Sequence, residues 1–304
     1  MRIAVIGAGA MGSVYGGLLS VHDDVTLIDT NKALVDHINS EGLCIAYKGE
    51  DKTYHPRAAV SAEGMDPVDL IIVFVKSPYT DAALSAAKAL IGPDTYIMSL
   101  QNGGGHDEDL LKYADSAHAI LGTTEDNGHV LGLGHIARGG EGRTNIGTAG
   151  IDGGFIRKLS SSLSAAGFTP ILHDSVSALI WEKLTVNASL SALTAVLSSD
   201  MSFIASCPDA WALCQALIDE VILAAECEGV KLDSVKAKEN VRNVSLSNPG
   251  GITSIAADIS SGRKTECDYI SGYVVRTAEK HGIPVPHQDS VYRILRALEA
   301  EKPR

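Results

Sequence analysis

Short apolar runs alternate with stretches of mixed character along the first half of the chain. Runs of this kind are typical of buried parallel strands, and the stretches between them have the length and pattern of helices. The predicted strands are residues 3–6, 24–29, 68–76, 95–100 and 117–121, and the predicted helices are 13–21, 32–40, 79–90 and 106–113. This alternation predicts an α/β fold with a doubly wound parallel sheet and right-handed crossovers.

Three further regions complete the predicted organisation. Residues 42–47 and 57–61 are predicted as short strands around a polar turn at 48–51. The glycine-rich stretch 122–150 is predicted to add strands at 129–133, 135–137 and 144–146 as an antiparallel extension of the sheet. A helix at 155–166 and a strand at 170–173 follow.

From residue 175 onward the pattern is helical and no strand is predicted. The predicted helices are 175–197, 209–229, 232–244, 253–261, 266–281 and 287–299. We therefore expect a Rossmann-like domain over residues 1–174 and an all-α domain over residues 175–304, with a cleft between them. Ligands of doubly wound sheets bind beyond the carboxyl ends of the strands, so Lys76 and Asn102 should face that cleft.

Composition and charge exclude several classes of protein. Hydrophobic residues make up 45% of the chain and charged residues 20%, as in globular proteins that fold in water. The chain contains no run of eighteen apolar residues, so no membrane span is predicted. The first predicted strand begins at residue 3, which leaves no room for a signal peptide, and we therefore expect a cytoplasmic protein. A net charge of −12 argues against a nucleic-acid partner.

Neither the cysteines nor the histidines have the linear spacing of metal ligands. The five cysteines are scattered without a C-x-x-C pair, which predicts reduced thiols rather than disulfides or a zinc site. His129, His135 and His173 have no ligand-type residue four positions away. The run from His106 to Asp109 is explained by the preference for acidic residues at a helix N-terminus. The sequence predicts no metal site.

The first strand leads into the pattern G-x-G-x-x-G, which is typical of dinucleotide-binding turns. Gly7 permits the tight turn, Gly9 lets a pyrophosphate approach the backbone, and Gly12 lets the helix pack on the strand. The remaining loop residues, Ala8, Ala10 and Met11, complete the predicted cofactor contact. Asp29 ends the second strand about twenty residues further on, where a carboxylate binds the ribose hydroxyls.

The helical half contains one segment with polar groups at a suggestive spacing. In the sequence from Trp181 to Asn187, Lys183 and Asn187 are four residues apart and therefore share one face of a helix. An ammonium group and an amide projected together can hold a carbonyl and its neighbouring oxygens. The alternative is that Lys183 is an ordinary surface lysine.

Several motifs in this order resemble the ketopantoate reductase (2-dehydropantoate 2-reductase) family over essentially the whole chain. They are the glycine loop, Lys76, the sequence Gln101-Asn102-Gly103, the segment W-x-K-L-x-x-N from Trp181, the pair Thr253-Ser254 and the segment T-E-x-D-Y-I-x-G from Thr265. Many dehydrogenases share the glycine loop. The two segments from Trp181 and Thr265 are far more specific.

The resemblance implies hydride transfer from NADPH or NADH to the C2 ketone of a small 2-keto acid. It implies that Lys183 is the general acid and that Glu266 lies near Lys183, a substrate hydroxyl or the cofactor. By the same resemblance Asn187 and Ser254 bind the substrate, Asn102 contacts substrate and cofactor, and Lys76 lies near the cofactor or the substrate carboxylate. For Glu266 the alternative is a solvated acid at a helix start.

Two segments depart from the family pattern. Where the family more often has a basic residue for the 2′-phosphate of NADPH, this chain has Asp29, with Lys32 as the nearest cation. A carboxylate there repels a 2′-phosphate, so we expect NADH use or dual use. The loop at Glu125 and Asp126 indicates either a different substrate side chain or a solvated loop.

Three functions therefore stay open. The first is a ketopantoate reductase of pantothenate, and hence coenzyme A, synthesis. The second is a D-2-hydroxyacid dehydrogenase of the same family that acts on another branched or hydrophobic 2-keto acid. The third is a nucleotide-binding regulator without turnover, which the presence of Lys183, Asn187 and Glu266 disfavours. The sequence also leaves open whether the protein is a homodimer.

Overall fold

In a computed structural model, described here for residues 1–301, the chain forms two compact units. The first consists of Met1–Gln101 and His106–Val176, and the second of Asn102–Gly105 and the chain from Ser177 on. The first contains a mainly parallel sheet with helices and the second is helical, which confirms the predicted fold class. No helix within residues 1–301 is both long enough and apolar enough to cross a membrane.

An eight-stranded sheet forms the centre of the first unit. Its strands, in spatial order, are β12 (Thr169–His173), β11 (Arg143–Gly147), β8 (Ala119–Thr124), β7 (Tyr96–Ser99), β6 (Leu70–Val73), β1 (Arg2–Ile6), β2 (Asp24–Ile28) and β5 (Arg57–Ala59). All neighbouring strands in it are parallel except β8 and β11, which are antiparallel. The central strands are buried on both faces, which explains their continuous apolar runs.

Helices and short turns connect these strands. They are α1 (Ala10–Leu19), α2 (Lys32–Glu41), α3 (Thr80–Ala86), α4 (His106–Leu110) and α5 (Gly153–Ala165), with 3₁₀ turns at Ser77–Tyr79 and Lys88–Leu90. The predicted helix over 79–90 is thus α3 with a 3₁₀ turn on each side. Two apolar clusters form the core of this unit, one containing Val5 and Leu27 and the other Ala4 and Ile71.

Part of the stretch that was predicted to extend the large sheet belongs instead to a separate sheet of four strands. Its order is β4 (Glu50–Tyr54), β3 (Leu43–Tyr47), β10 (His135–Arg138) and β9 (Gly128–Gly132). Only β11 extends the large sheet in the predicted antiparallel sense. The strand β10 pairs instead with β3, and β9 pairs with β10 at the edge of the small sheet. The prediction was wrong because the position of a strand depends on which sheet edge it can pair with. The local pattern of residues does not encode that edge.

The charged strand β4 was missed by the sequence analysis, which placed Glu50 and Asp51 in a turn. The turn itself is Lys48-Gly49, where both residues have positive φ, 51° and 82°, as a two-residue hairpin requires. The following residues pair with β3 in antiparallel register. Because β4 is an edge strand exposed along most of its length, it lacks the apolar alternation that signals a strand.

The second unit is helical, with no strand between Ser177 and residue 301. Its helices are α6 (Ser177–Thr185), α7 (Ala192–Leu197), α8 (Met201–Ser206), α9 (Pro208–Cys227), α10 (Ser234–Leu246), α11 (Ser254–Ser260), α12 (Ser271–Lys280) and α13 (Pro286–Ala300). The apolar cluster around Trp181, Leu217 and Val274 forms its core. The short helix α8 was not predicted.

Two predicted helices of this unit differ in the structure. The segment 175–197 is not one α-helix, because a π-helical segment, Val186–Ser191, separates α6 from α7. The predicted helix at 266–281 begins only at Ser271. Residues 266–270 form turns instead, in which the Tyr269 carbonyl accepts a hydrogen bond from the Gly104 N–H, 2.9 Å away, and the Cys267 carbonyl accepts one from Gly272.

The loop acids Glu125 and Asp126 each pair with an arginine inside the first unit. Asp126 accepts a 2.8 Å hydrogen bond from Arg138 Nε, and these side chains are 0% and 5% exposed. Burial raises the pKa of Asp126 despite this arginine. Glu125 accepts a 3.0 Å hydrogen bond from Arg143 Nε at an exposed position. Of the two predicted alternatives, a solvated loop fits Glu125, whereas Asp126 belongs to the interior.

We expect Arg138→Ala to lower the free energy of unfolding by about 3–5 kcal/mol, because it leaves the Asp126 carboxylate buried without a cation to balance its charge. The matched control is Arg143→Ala, which breaks the exposed pair with Glu125 and should cost roughly 0–1 kcal/mol. Urea denaturation of the full chain, followed by circular dichroism, measures both. Equal effects of the two substitutions would contradict this assignment.

Candidate functional site

The glycine loop between β1 and α1 is shaped by close backbone contacts. Gly7 has φ of +95°, and its N–H donates to the Ile28 carbonyl over 2.8 Å. A Cβ atom on Gly12 would lie 1.8 Å from the Gly7 carbonyl oxygen, so only glycine fits there. By contrast, no atom lies within 4 Å of a Cβ built on Gly9.

The space beside Gly9 lies at the N-terminus of α1. Gly9 is the N-cap residue of that helix and has no side chain to bond the first N–H groups, which Ala10, Met11 and Gly12 contribute. Backbone N–H groups and the positive end of a helix dipole together favour a phosphate. The geometry therefore fits the pyrophosphate of a dinucleotide.

Asp29 is joined to the same loop. One carboxylate oxygen accepts the Ala8 N–H over 2.8 Å and the other accepts the Asn31 N–H over 2.9 Å. Each oxygen keeps a second lone pair, so the carboxylate can still accept hydroxyl groups. Lys32, the cation expected to offset its charge, instead pairs with Asp36 at 2.6 Å on the exposed face of α2.

Lys76 lies in the segment that follows β6 and borders the glycine loop. A Cβ on Gly7 would be 2.7 Å from the backbone nitrogen of Val75, the residue before Lys76. The side chain of Gln101 supports this segment, because its amide donates to the Val75 carbonyl over 2.7 Å. The structure thus brings Lys76, the glycine loop and Asp29 into one region of the first unit.

In the second unit, Lys183 and Asn187 lie on either side of a change in helix type. Lys183 is half-buried on α6, whereas Asn187 is half-buried in the π-helical segment. The prediction of a shared face assumed 3.6 residues per turn throughout. The wider turn changes the angle between the two side chains, and such π-helical turns are frequent at functional sites.

A fully buried glutamine that the sequence analysis missed supports the wide turn. The Gln288 amide donates to the Ala188 carbonyl over 3.0 Å and to the Leu217 carbonyl over 3.2 Å. The Glu220 carboxylate in turn accepts the backbone N–H groups of His287 and Gln288 at the start of α13. The only sequence signal for this role was a glutamine on the same helix face as Val291 and Leu295.

Asn102 lies in a segment that packs against the turn containing Glu266. Besides the bond from Gly104 to Tyr269, a Cβ on Gly103 would lie 2.5 Å from the Tyr269 carbonyl oxygen. The Tyr273 ring faces Gly104 and also contacts Trp181, with ring centroids 5.3 Å apart. These contacts place the segments containing Asn102, Glu266 and Lys183 around Tyr273.

Glu266 and Ser254 occupy different environments. Glu266 is half-buried and precedes α12 by five residues, so it is not the solvated helix-start acid of the alternative interpretation. Ser254 is the exposed first residue of α11. Its neighbour Thr253 is buried and caps this helix, with its hydroxyl 2.7 Å from that of Thr194. This contact ties α11 to the helix that follows the π-helical segment.

The arrangement thus provides two sets of groups, one in each unit. The first unit has an open helix N-terminus with the Asp29 carboxylate joined to the same loop. The second has a cation, amides and a carboxylate on segments that pack together. Such groups can bind a dinucleotide and a small oxyacid, and the lysine can donate a proton to oxygen.

Comparison with known proteins agrees over nearly the whole chain. The family model described as ketopantoate reductase PanE/ApbA matches residues 3–150, and the model of its C-terminal domain matches residues 175–299. The 2-dehydropantoate 2-reductase of Lactococcus lactis is 30% identical, over 98% of each chain.

Solved structures show the same similarity. A ternary structure of D-mandelate dehydrogenase with NADH and anilino(oxo)acetate matches with a TM-score of 0.91 at 28% identity, over 99% of each chain. A structure from Enterococcus faecalis that is named as a 2-dehydropantoate 2-reductase by inference matches with a TM-score of 0.78 at 30% identity, over 99% of this chain and 98% of the other. The chain therefore belongs to the ketopantoate reductase family, whose members are NAD(P)H-dependent oxidoreductases acting on small keto acids.

Proposed function

We propose that the protein is a 2-dehydropantoate 2-reductase, which reduces the C2 ketone of ketopantoate to the alcohol of pantoate. The observation that supports this most is that segments bearing Asn102, Lys183 and Glu266 pack around Tyr273 in the second unit, while the first unit has the cofactor loop. The similarity to the Lactococcus lactis enzyme extends over both units. When bound, a reduced nicotinamide supplies the hydride.

In this proposal Lys183 is the general acid. As hydride reaches C2, negative charge develops on the ketone oxygen, and an ammonium group there stabilises the charge and donates the proton. Asn187 and Ser254 would donate hydrogen bonds to the substrate hydroxyl and carboxylate. Asn102 would contact both substrate and cofactor, and Glu266 would orient the lysine and the ligands.

We expect Lys183→Ala to lower kcat by about 10²–10⁴-fold, because the general acid is lost, while NADH still binds. Lys183→Arg keeps the positive charge but cannot release a proton at neutral pH, so it should also be slow. Lys236→Ala, which removes an exposed lysine of α10, is the control and should leave kcat unchanged. Single-turnover absorbance at 340 nm and NADH fluorescence titration measure the two effects. Normal turnover in Lys183→Ala would exclude Lys183 as the acid.

We further propose that the enzyme prefers NADH, against the NADPH use more common in the family. The negative charge of Asp29 repels a 2′-phosphate. Lys32, the nearest cation in the sequence, pairs with Asp36, and the charge of Asp36 offsets its positive charge. The carboxylate can still accept ribose hydroxyl groups. The D-mandelate dehydrogenase of similar fold was solved with NADH.

We expect Asp29→Asn to shift the ratio of kcat/KM for NADH over NADPH toward NADPH by tenfold or more, equivalent to about 1.4 kcal/mol. Because both cofactors are measured on the same variant, a loss of folded protein cancels in the ratio. Asp24→Asn, at the other end of β2 and exposed, is the control and should keep the wild-type ratio. An unchanged ratio in Asp29→Asn would remove Asp29 from cofactor selection.

A second candidate is a D-2-hydroxyacid dehydrogenase acting on another hydrophobic or branched 2-keto acid, which the match to D-mandelate dehydrogenase favours. Steady-state assays at 340 nm with ketopantoate, phenylglyoxylate and branched 2-keto acids, each with NADH and NADPH, separate the two. Fast turnover with ketopantoate alone supports the first function. A preference for phenylglyoxylate or the branched acids supports the second.

A further inference from the structure

Three side chains with metal-binding atoms meet on one face of the small sheet. Cys44 of β3 lies opposite His135 of β10 in parallel register, and Asp51 of β4 pairs with Ala46, two residues further along β3. Residues two apart on a strand share a face, and so do residues directly opposite each other. The thiol, the imidazole and the carboxylate therefore come from three neighbouring strands.

The distances between these groups are close to those of a metal site. One ligand atom from each of Cys44, Asp51 and His135 lies within 4.8 Å of the other two. His135 Nε2 and Asp51 Oδ2 are 3.5 Å apart. Ligand atoms at tetrahedral zinc are roughly 3.3–3.8 Å apart, as follows from bond lengths of about 2.0–2.3 Å. Asp51 has a 61% exposed side chain, so a small rotation can complete this closure.

The imidazole of His135 provides a second observation. Its Nε2 atom is buried yet has no hydrogen-bond partner among the described residues. A buried nitrogen that makes no hydrogen bond is costly, and a metal ion would satisfy it. The opposite face of the same strands is apolar, with Leu43, Ile45 and Ile136 in the core, so the three ligand groups point away from the packed interior.

We propose that Cys44, Asp51 and His135 form a binding site for one zinc-like divalent transition-metal ion. A thiolate and an imidazole select zinc or its neighbours in the transition series over magnesium and calcium, which prefer oxygen ligands. Thiolate and carboxylate together carry two negative charges, which a divalent ion neutralises. The fourth position stays open to water or to a group from another molecule.

The sequence analysis did not predict this site, because it considered only ligands that are close together in the chain. His135 was set aside because no ligand-type residue stands four positions away, and the cysteines because none form a C-x-x-C pair. The three ligands stand instead at positions 44, 51 and 135, far from any regular spacing. Only the pairing of β3 with both β4 and β10 brings them together. The site involves neither the glycine loop nor Lys183, so it stands or falls independently of the proposed reaction.

Binding should release a proton. Metal binding requires the thiolate, and the affinity should therefore rise with pH. The bound ion ties three strands together, so zinc should also raise the melting temperature of the full-length protein.

Cobalt(II) titration of the chelator-treated, reduced full-length protein tests the site. We expect one equivalent to produce a sulfur-to-cobalt charge-transfer band, which zinc then removes. Cys44→Ser should abolish the band, and His135→Ala and Asp51→Asn should each weaken binding at least tenfold. Cys227→Ser and His129→Ala, which change another half-buried cysteine and a histidine of the adjacent strand β9, are the controls and should keep it.

Each outcome of the cobalt titration either supports or overturns the proposed metal site. The proposal is overturned if wild-type protein shows no band at one equivalent, if Cys44→Ser keeps the band, or if the controls lose it. Thermal melting gives a second measurement that does not depend on the band. At one zinc concentration, zinc should raise the melting temperature of wild-type protein and of both controls more than that of His135→Ala, and equal shifts in all of them would mean binding elsewhere.

Discussion

The close backbone packing at the end of β1 is the constraint on which the first unit depends. Gly7 bonds to the end of β2, lies against the segment after β6, and is covered by Gly12 of the first helix. Three elements therefore meet at a point where no side chain fits. The same packing leaves the N-terminus of α1 open beside Gly9, and a helix N-terminus of this kind favours a phosphate group.

Buried polar groups have the corresponding role in the second unit. The Gln288 amide, the Glu220 carboxylate and the hydroxyls of Thr194 and Thr253 bond backbone groups or each other where helices meet. Each of these contacts fixes a helix start or a widened turn rather than adding apolar area. Because a buried polar group left without a partner costs free energy, such contacts favour one arrangement of the helices. That arrangement sets the positions of Asn187 and Ser254.

Charge is arranged differently in the two acidic segments that depart from the family pattern. Asp29 accepts two backbone N–H groups, so its carboxylate is fixed in place while lone pairs remain for a ligand. Asp126 is buried against Arg138, whose guanidinium also lies over the rings of Tyr47 and Phe168. The Asp29 carboxylate therefore keeps lone pairs for a ligand, whereas the buried pair of Asp126 and Arg138 holds the small sheet to its surroundings.

The sequence by itself determined the fold class, the glycine loop and most of the helices. These features depend on local periodicity and on glycine positions, which neighbouring residues encode directly. It also indicated the segments bearing Asn102, Lys183 and Glu266, through the family resemblance. Only the tertiary structure decided the second sheet, the charged edge strand β4, the π-helical turn at Asn187 and the meeting of Cys44 with Asp51 and His135. Each of these depends on which distant strand or carbonyl is available as a partner, and such pairings have no local pattern in the chain.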